Sequence, residues 1–260
     1  MADQTNGAAS AASTQVRRGR HGGAPAPMSV GQRIVATVRE VVLVVIMAAL
    51  ISFVIKTWLV QAFYIPSESM EDTLVKNDRV IVSKLTPGPF DLERGDVVVF
   101  EDPKVPSPWL GQSVAGEPST TQRVLTFIGL LPDDAKNHLI KRVIGLPGDH
   151  VQADGTGSIK VNGVALTEFY VKAGDDPSTR PFDITVPAGR IWVMGDHRSD
   201  SSDSRFHDDG TGRTGSVPID VVTGRAIALV WPLGRMTWLG HQDDVFAKVP
   251  NAGLTTTPGS

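Results

Sequence analysis

The sequence predicts a mainly β domain carried behind one apolar helix near the N-terminus. Three observations predict it. Residues 41–55 read VVLVVIMAALISFVI, fifteen residues without a charge, and TWLVQAF follows after Lys56. Beyond them the chain offers short β-branched runs bounded by turn residues. Glycine and proline number 26 and 18 of 260 residues, which favours turns and short elements over a helical bundle.

In chain order, residues 1–40 come first. The first 32 hold seven Ala and five Gly and few large apolar side chains. Such a stretch cannot bury enough surface to offset its ordering entropy, so 1–40 is expected to be a disordered tail. Residues 41–63 would be about 35 Å long as a helix, enough to cross a hydrocarbon core of about 30 Å. Lys56 could snorkel to the interface, and Trp58 and Tyr64 suit an aromatic belt at the lipid bilayer. Residues 1–40 carry a net charge of +3, from five Arg against Asp3 and Glu40, and the remainder carries −6. The positive-inside rule then puts the N-terminus in the cytoplasm and residues from 64 onward outside the cell membrane. A buried helix of a soluble protein and a cleaved signal peptide ending near Val60-Gln61-Ala62 are the competing readings.

Residues 64–249 form the expected β domain. Its strands are read at 78–84, 96–100, 139–145, 189–196 and 225–231. Asn162-Gly163 between SIKV and VAL signals a two-residue hairpin, and Asp154-Gly155 a second turn. Residues 101–137 lose the pattern and read as an insertion with one short helix, and 250–260 as a flexible tail. The absence of cysteine excludes a thiol nucleophile, a Cys-ligated metal and disulfides. The acidic balance beyond residue 40 argues against nucleic acid as a partner.

Without cysteine, a nucleophile must be Ser, Thr, Lys or a carboxylate with a base nearby. Ser67 and Ser69 stand in Pro66-Ser67-Glu68-Ser69-Met70, directly after the apolar run; a polar turn or helix cap is the plainer use of such serines. Lys141 and Arg142 interrupt the strand at 139–145. Strand alternation sets Ile140 and Arg142 on one face, Lys141 and Val143 on the other. An ammonium in solvent and a desolvated amine acting as base are both open to Lys141. Residues 195–205, Gly-Asp-His-Arg-Ser-Asp-Ser-Ser-Asp-Ser-Arg, suit a solvated loop or an internally paired Asp/Arg loop beside a site. They do not meet the spacing of a calcium loop.

Taken in order, Pro-Ser-x-Ser-Met after the apolar helix, Arg94-Gly95-Asp96-Val97-Val98-Val99-Phe100, Lys141-Arg142-Val143-Ile144-Gly145-x-Pro-Gly-Asp, and Gly195-Asp196-x-Arg198-x-x-Ser201-x-Asp203-Ser204-Arg205 resemble the bacterial type I signal peptidases. The resemblance covers residues from about 40 to 232. It implies a catalytic domain of two antiparallel sheets, outside the membrane and tethered by one transmembrane helix. It implies a membrane-bound serine endopeptidase that removes signal peptides from secretory preproteins, cutting after small residues, with no metal or organic cofactor. Ser69 matches the nucleophile and Lys141 the general base. Ser67, with the Ser69 N–H, matches the oxyanion hole, and Ser201 the serine that orients the lysine. Asp196, Arg198, Asp203 and Arg205 match residues that brace the site.

Two positions depart from the family pattern. Glu68 stands where many relatives have glycine, and His197 replaces a common asparagine. A histidine base, His197 above all, is the alternative to Lys141 as partner of the serine. A soluble self-cleaving repressor and a non-enzymatic extracytoplasmic binding domain are the alternatives for the chain as a whole.

Overall fold

The computed structural model describes residues 29–103, 109–110 and 137–252. The short helix expected within 101–137 lies outside the described residues. The chain divides into two units, one ending at Ala48 and the other beginning at Ala49. The first helix, α1, covers Val30–Val54 and continues as a π-helical stretch over Ile55–Leu59. Over Val30–Leu59 it is long and apolar enough to cross a membrane, and α1 has no buried residue.

Its start lies earlier than the hydropathy suggested. Ser29 accepts from the Gln32 N–H at 3.3 Å, and the Gln32 side chain accepts from the Ser29 N–H at 3.0 Å. This reciprocal capping box satisfies two helix-end donors and sets the first turn at Val30, so residues 30–40 are helical. The far end is corrected too. Helical structure stops at Leu59, and the first strand, β1 (Val60–Tyr64), takes the last four residues of the expected span. Hydropathy does not separate an apolar strand from the end of an apolar helix. Pairing does: Val60–Tyr64 run antiparallel to Ser83–Arg79, and Phe63 is buried.

The domain contains two antiparallel sheets. The larger is built from β1, β2 (Arg79–Ser83), β3 (Val97–Glu101), β4 (His138–Gly145), β9 (Arg190–Met194), β10 (Val217–Pro218), β11 (Val222–Trp231) and β12 (Thr237–Trp238). Its order is β1-β2-β11-β3-β4-β9-β10, with β12 added to β11. The smaller has the order β7-β6-β5-β8, from β5 (His150–Asp154), β6 (Lys160–Val161), β7 (Val164–Ala165) and β8 (Pro181–Thr185). All five expected strands are present. The Asn162-Gly163 turn joins β6 to β7 with φ of 50° and 82°, the left-handed pair such a hairpin requires.

The uninterrupted Val97–Phe100 run is explained by burial on both faces. Val97 and Val99 join Phe63, Ile65, Met70, Leu74, Val80 and Ile140 in one cluster. Val98 and Phe100 join Val143, Ile191, Val193 and Trp109 in another. The smaller sheet packs its own cluster against Ile144, Trp192 and Met194. The chain after 249 is docked at first, since the Pro250 carbonyl accepts from Arg94 and Asn162.

Candidate active site

The segment after β1 is anchored by its apolar residues. Ile65, Met70 and Leu74 are fully buried, so the Ser67–Ser69 turn between them has a fixed base. Ser67 and Glu68 are exposed, whereas Ser69 is buried. The two serine hydroxyls lie 3.4 Å apart. Ser69 N–H makes no hydrogen bond among the described residues, so it is a free backbone donor beside its own hydroxyl.

Lys141 reaches this turn from β4, where it lies opposite Val98 of β3. Its Nζ donates to Ser69 Oγ at 2.6 Å, and only 3% of the residue is exposed. Burial lowers its pKa from 10.5 to about 8, against the opposing pull of the Asp203 and Asp196 carboxylates. The solvent-exposed reading of this lysine is thereby excluded, and an appreciable fraction of neutral amine is present near neutral pH.

Arg142 points to the other face of β4 and is also buried. Its guanidinium makes a two-pronged contact with Asp196, Nε to Oδ1 at 2.8 Å and Nη2 to Oδ2 at 2.5 Å. It donates to the Gly95 carbonyl and lies 4.0 Å from the Tyr170 ring centroid. Asp196 also accepts from Thr73, which follows the nucleophile turn. Arg198 makes a fork with Glu168 and donates to the Gly195 carbonyl. Asp203 pairs with Arg205 and accepts from the Gly195 N–H. Burial pushes the Asp203 carboxyl up, but the Arg205 hydrogen bonds and charge outweigh it and hold it low.

The expected Asp/Arg loop is thus only partly self-paired. Asp203–Arg205 is internal, while Asp196 and Arg198 take partners from β4 and from residue 168. Arg142, Thr73, Glu168 and Tyr170 were not assigned to the site from the sequence. One signal was available for Arg142: adjacent cations in a strand face opposite sides, so a strand buried on both sides must compensate each of them.

The expected hydrogen bond from Ser201 to the lysine is not formed. Lys141 Nζ is directed to Ser69 instead, and Ser201 Oγ is buried without a hydrogen bond of normal geometry. It lies close enough to Asp203 to help keep that carboxylate ionised. It also lies against Gly195, where an added Cβ would collide with Ser201 and sit 2.5 Å from the Ser69 carbonyl oxygen. His197 is occupied elsewhere, its Nδ1 3.1 Å from the Glu68 carbonyl and its Nε2 3.2 Å from Lys172 Nζ.

The family described as signal peptidase, peptidase S26, matches residues 38–231. A signal peptidase I of Mycobacterium tuberculosis (strain CDC 1551 / Oshkosh) is 37% identical over 224 residues, covering 77% of this chain and 74% of its own. One from Leptolyngbya laminosa is 38% identical over 186 residues, 72% of this chain and 76% of its own. A solved signal peptidase I from Enterococcus faecalis V583 covers 52% of this chain and 97% of its own, at 24% identity and a TM-score of 0.34. On the extent of the family match and the identity to its members, the chain belongs to the signal peptidase family, peptidase S26.

Proposed function

We propose that this chain is a membrane-tethered endopeptidase of the Ser/Lys type that removes N-terminal signal peptides from secreted preproteins, cutting after small residues. The observation that carries the reading is the buried 2.6 Å contact between Lys141 Nζ and Ser69 Oγ. Neutral Lys141 takes the Ser69 proton as Oγ attacks the scissile carbonyl carbon. The tetrahedral oxyanion is met by the Ser69 N–H and the Ser67 hydroxyl, donors of a kind worth about 3 kcal/mol each in comparable sites. Lys141 returns the proton to the leaving amine as the acyl-enzyme forms, then activates the water that releases the signal peptide. Ser201, whose buried hydroxyl makes no hydrogen bond of normal geometry among the described residues, turns to steady the lysine once it is charged. Asp196, Arg198, Asp203 and Arg205 brace the turn and the lysine and take no part in proton transfer. The scheme uses no metal or cofactor.

The sheet edge supports an extended substrate. β9 joins β4 only from Arg142 onward, so residues 139–141 are paired on the β3 side alone among the described residues. Beside that edge, Phe63, Ile65, Pro66, Leu139 and Ile140 line a small crevice with room for about one water. A substrate strand laid along the edge at 139–141 gains backbone hydrogen bonds, and so small a crevice beside it admits only a small side chain. The tether is assigned to α1, with the N-terminus cytoplasmic and the β domain outside, because the arginines precede the apolar run.

The test is incubation of the full chain in detergent with a secretory precursor, mapping the cut by mass spectrometry. One cut after a small residue at the signal-peptide boundary is expected, lost in both Ser69→Ala and Lys141→Met. An uncut precursor, or a Lys141→Met variant that still cleaves, overturns the reading.

A further inference from the structure

We propose that His197 is a positioning residue that aims the Ser69 N–H at the oxyanion, held in the neutral Nδ1–H tautomer by Lys172; the inference rests on the Ser/Lys reading above. His197 makes two hydrogen-bonding contacts with the nucleophile turn, and its Nδ1 also lies 3.7 Å from Glu71 Oε2. Its backbone N–H donates to the Ser69 carbonyl at 3.1 Å, and its Nδ1 lies 3.1 Å from the Glu68 carbonyl oxygen. The tautomer follows from the contact with Lys172. Lys172 Nζ is 3.2 Å from Nε2, and an ammonium can only donate. Nε2 must therefore accept, the ring proton sits on Nδ1, and Nδ1–H donates to the Glu68 carbonyl. Lys172 is held in place by Glu71 at 2.7 Å, and that hydrogen bond raises its pKa, so its charge is secure at neutral pH.

The Glu68 carbonyl and the Ser69 N–H belong to one peptide unit. That unit is planar, and in its trans form the C=O and N–H point in opposite directions. Holding the carbonyl toward His197 therefore turns the N–H away from it, where it has no partner among the described residues. Glu71 N–H also donates to the Glu68 carbonyl at 3.1 Å, but from within the same turn. His197 adds the link to the end of β9, which is paired into the sheet. A tilt of this peptide would move an oxyanion donor, not the substrate pocket, so its cost falls on the transition state.

The experiment uses the full chain in detergent. His197→Ala should lower kcat about tenfold with KM within about twofold, a fraction of the loss seen when an oxyanion donor is removed outright. His197→Asn carries an amide N–H at the position of Nδ1–H and should recover kcat to within about threefold of the parent. A His197→Ala variant with unaltered kcat, a change confined to KM, or an Asn variant as slow as Ala overturns the proposal. A second readout needs no turnover: 15N spectra of histidine-labelled chain should show His197 as the neutral Nδ1–H form, shifting toward the Nε2–H form in Lys172→Met. An Nε2–H form in the parent overturns the proposal as well. If the parent fails to cut any precursor, the Ser/Lys reading falls, while the 15N spectrum still decides the tautomer.

Discussion

Lys141 Nζ stands 2.6 Å from Ser69 Oγ with both residues buried, and the carboxylates that pull on it most, Asp203 and Asp196, are each already tied to an arginine. The carboxylates are thus partly neutralised before they act on the lysine. Desolvation prevails, and the amine titrates at about 8.

The first prediction is a pH profile. With the base titrating at about 8, kcat/KM should rise tenfold per pH unit below that value and level off above it. A profile half-maximal near pH 6.5 and level by about pH 7.5 would point to a histidine base, whose ordinary pKa is about 6.5. Measurement on a short fluorogenic peptide in detergent is sufficient.

The second concerns stability. Below pH 8 folding must bury a charged lysine or strip its proton, so Lys141 destabilises the native state there. The displacement from 10.5 to about 8 corresponds to about 3 kcal/mol. Between these values the unfolded chain holds a proton that the native chain has lost, so stability rises with pH and the penalty is gone above 10.5. Lys141→Met should therefore unfold at higher temperature than the parent at pH 7, by up to about 3 kcal/mol, with the gap closing toward pH 10.5. A less stable variant at pH 7 would refute the assigned desolvation.

Much of this was legible in the sequence, and what was not has physical causes. The five main strands announced themselves because β-branched runs ended at turn residues. Asn162-Gly163 fixed its hairpin because few residues tolerate two successive left-handed conformations. Strands such as His150–Asp154 and Pro181–Thr185 went unread because they are half exposed and hold few β-branched residues, which leaves a weak apolar signal. The capping box at Ser29 and Gln32 was missed because it lies nine to twelve positions before the apolar run. Ser69 and Lys141 were visible only together, through the order of four motifs. The Asp196–Arg142 and Arg198–Glu168 pairs were hidden because sequence distance says nothing about which carboxylate a buried guanidinium meets.

A third prediction follows from Gly195. A methyl group there would meet Ser201 and the Ser69 carbonyl oxygen at 2.5 Å, and the carbonyl cannot retreat without moving the nucleophile turn. Gly195→Ala should reduce kcat about 100-fold, the scale of a misplacement near 1 Å, and lower stability by about 1–3 kcal/mol through overpacking. Steady-state kinetics beside a thermal unfolding scan separates the two. Activity close to the parent would show that the turn has room the structure denies it.

A fourth concerns topology. If α1 tethers the chain with its arginines in the cytoplasm, protease added to inverted membrane vesicles should spare residues 64–252, and added to spheroplasts should reach them. Digestion of the β domain from the cytoplasmic face would reverse the orientation and remove the access to secreted substrates.

The last prediction separates binding from catalysis at Ser67. Its side chain is exposed in the free protein, 3.4 Å from Ser69 Oγ, and is held by nothing else among the described residues. Its removal should therefore leave the fold alone, and a thermal scan of Ser67→Ala should match the parent within about 0.5 kcal/mol. The hydroxyl is asked to meet negative charge that develops only as Ser69 attacks, so its loss should appear in kcat. About 100-fold is expected, as for one oxyanion donor, with KM nearly constant. The Ser69 N–H remains in the variant and should preserve residual cleavage, in contrast to Ser69→Ala. Ser67→Thr keeps a hydroxyl and should recover part of the loss if its added methyl group clears the substrate. A rise in KM at constant kcat would make Ser67 a substrate contact and leave the Ser69 N–H as the sole oxyanion donor identified.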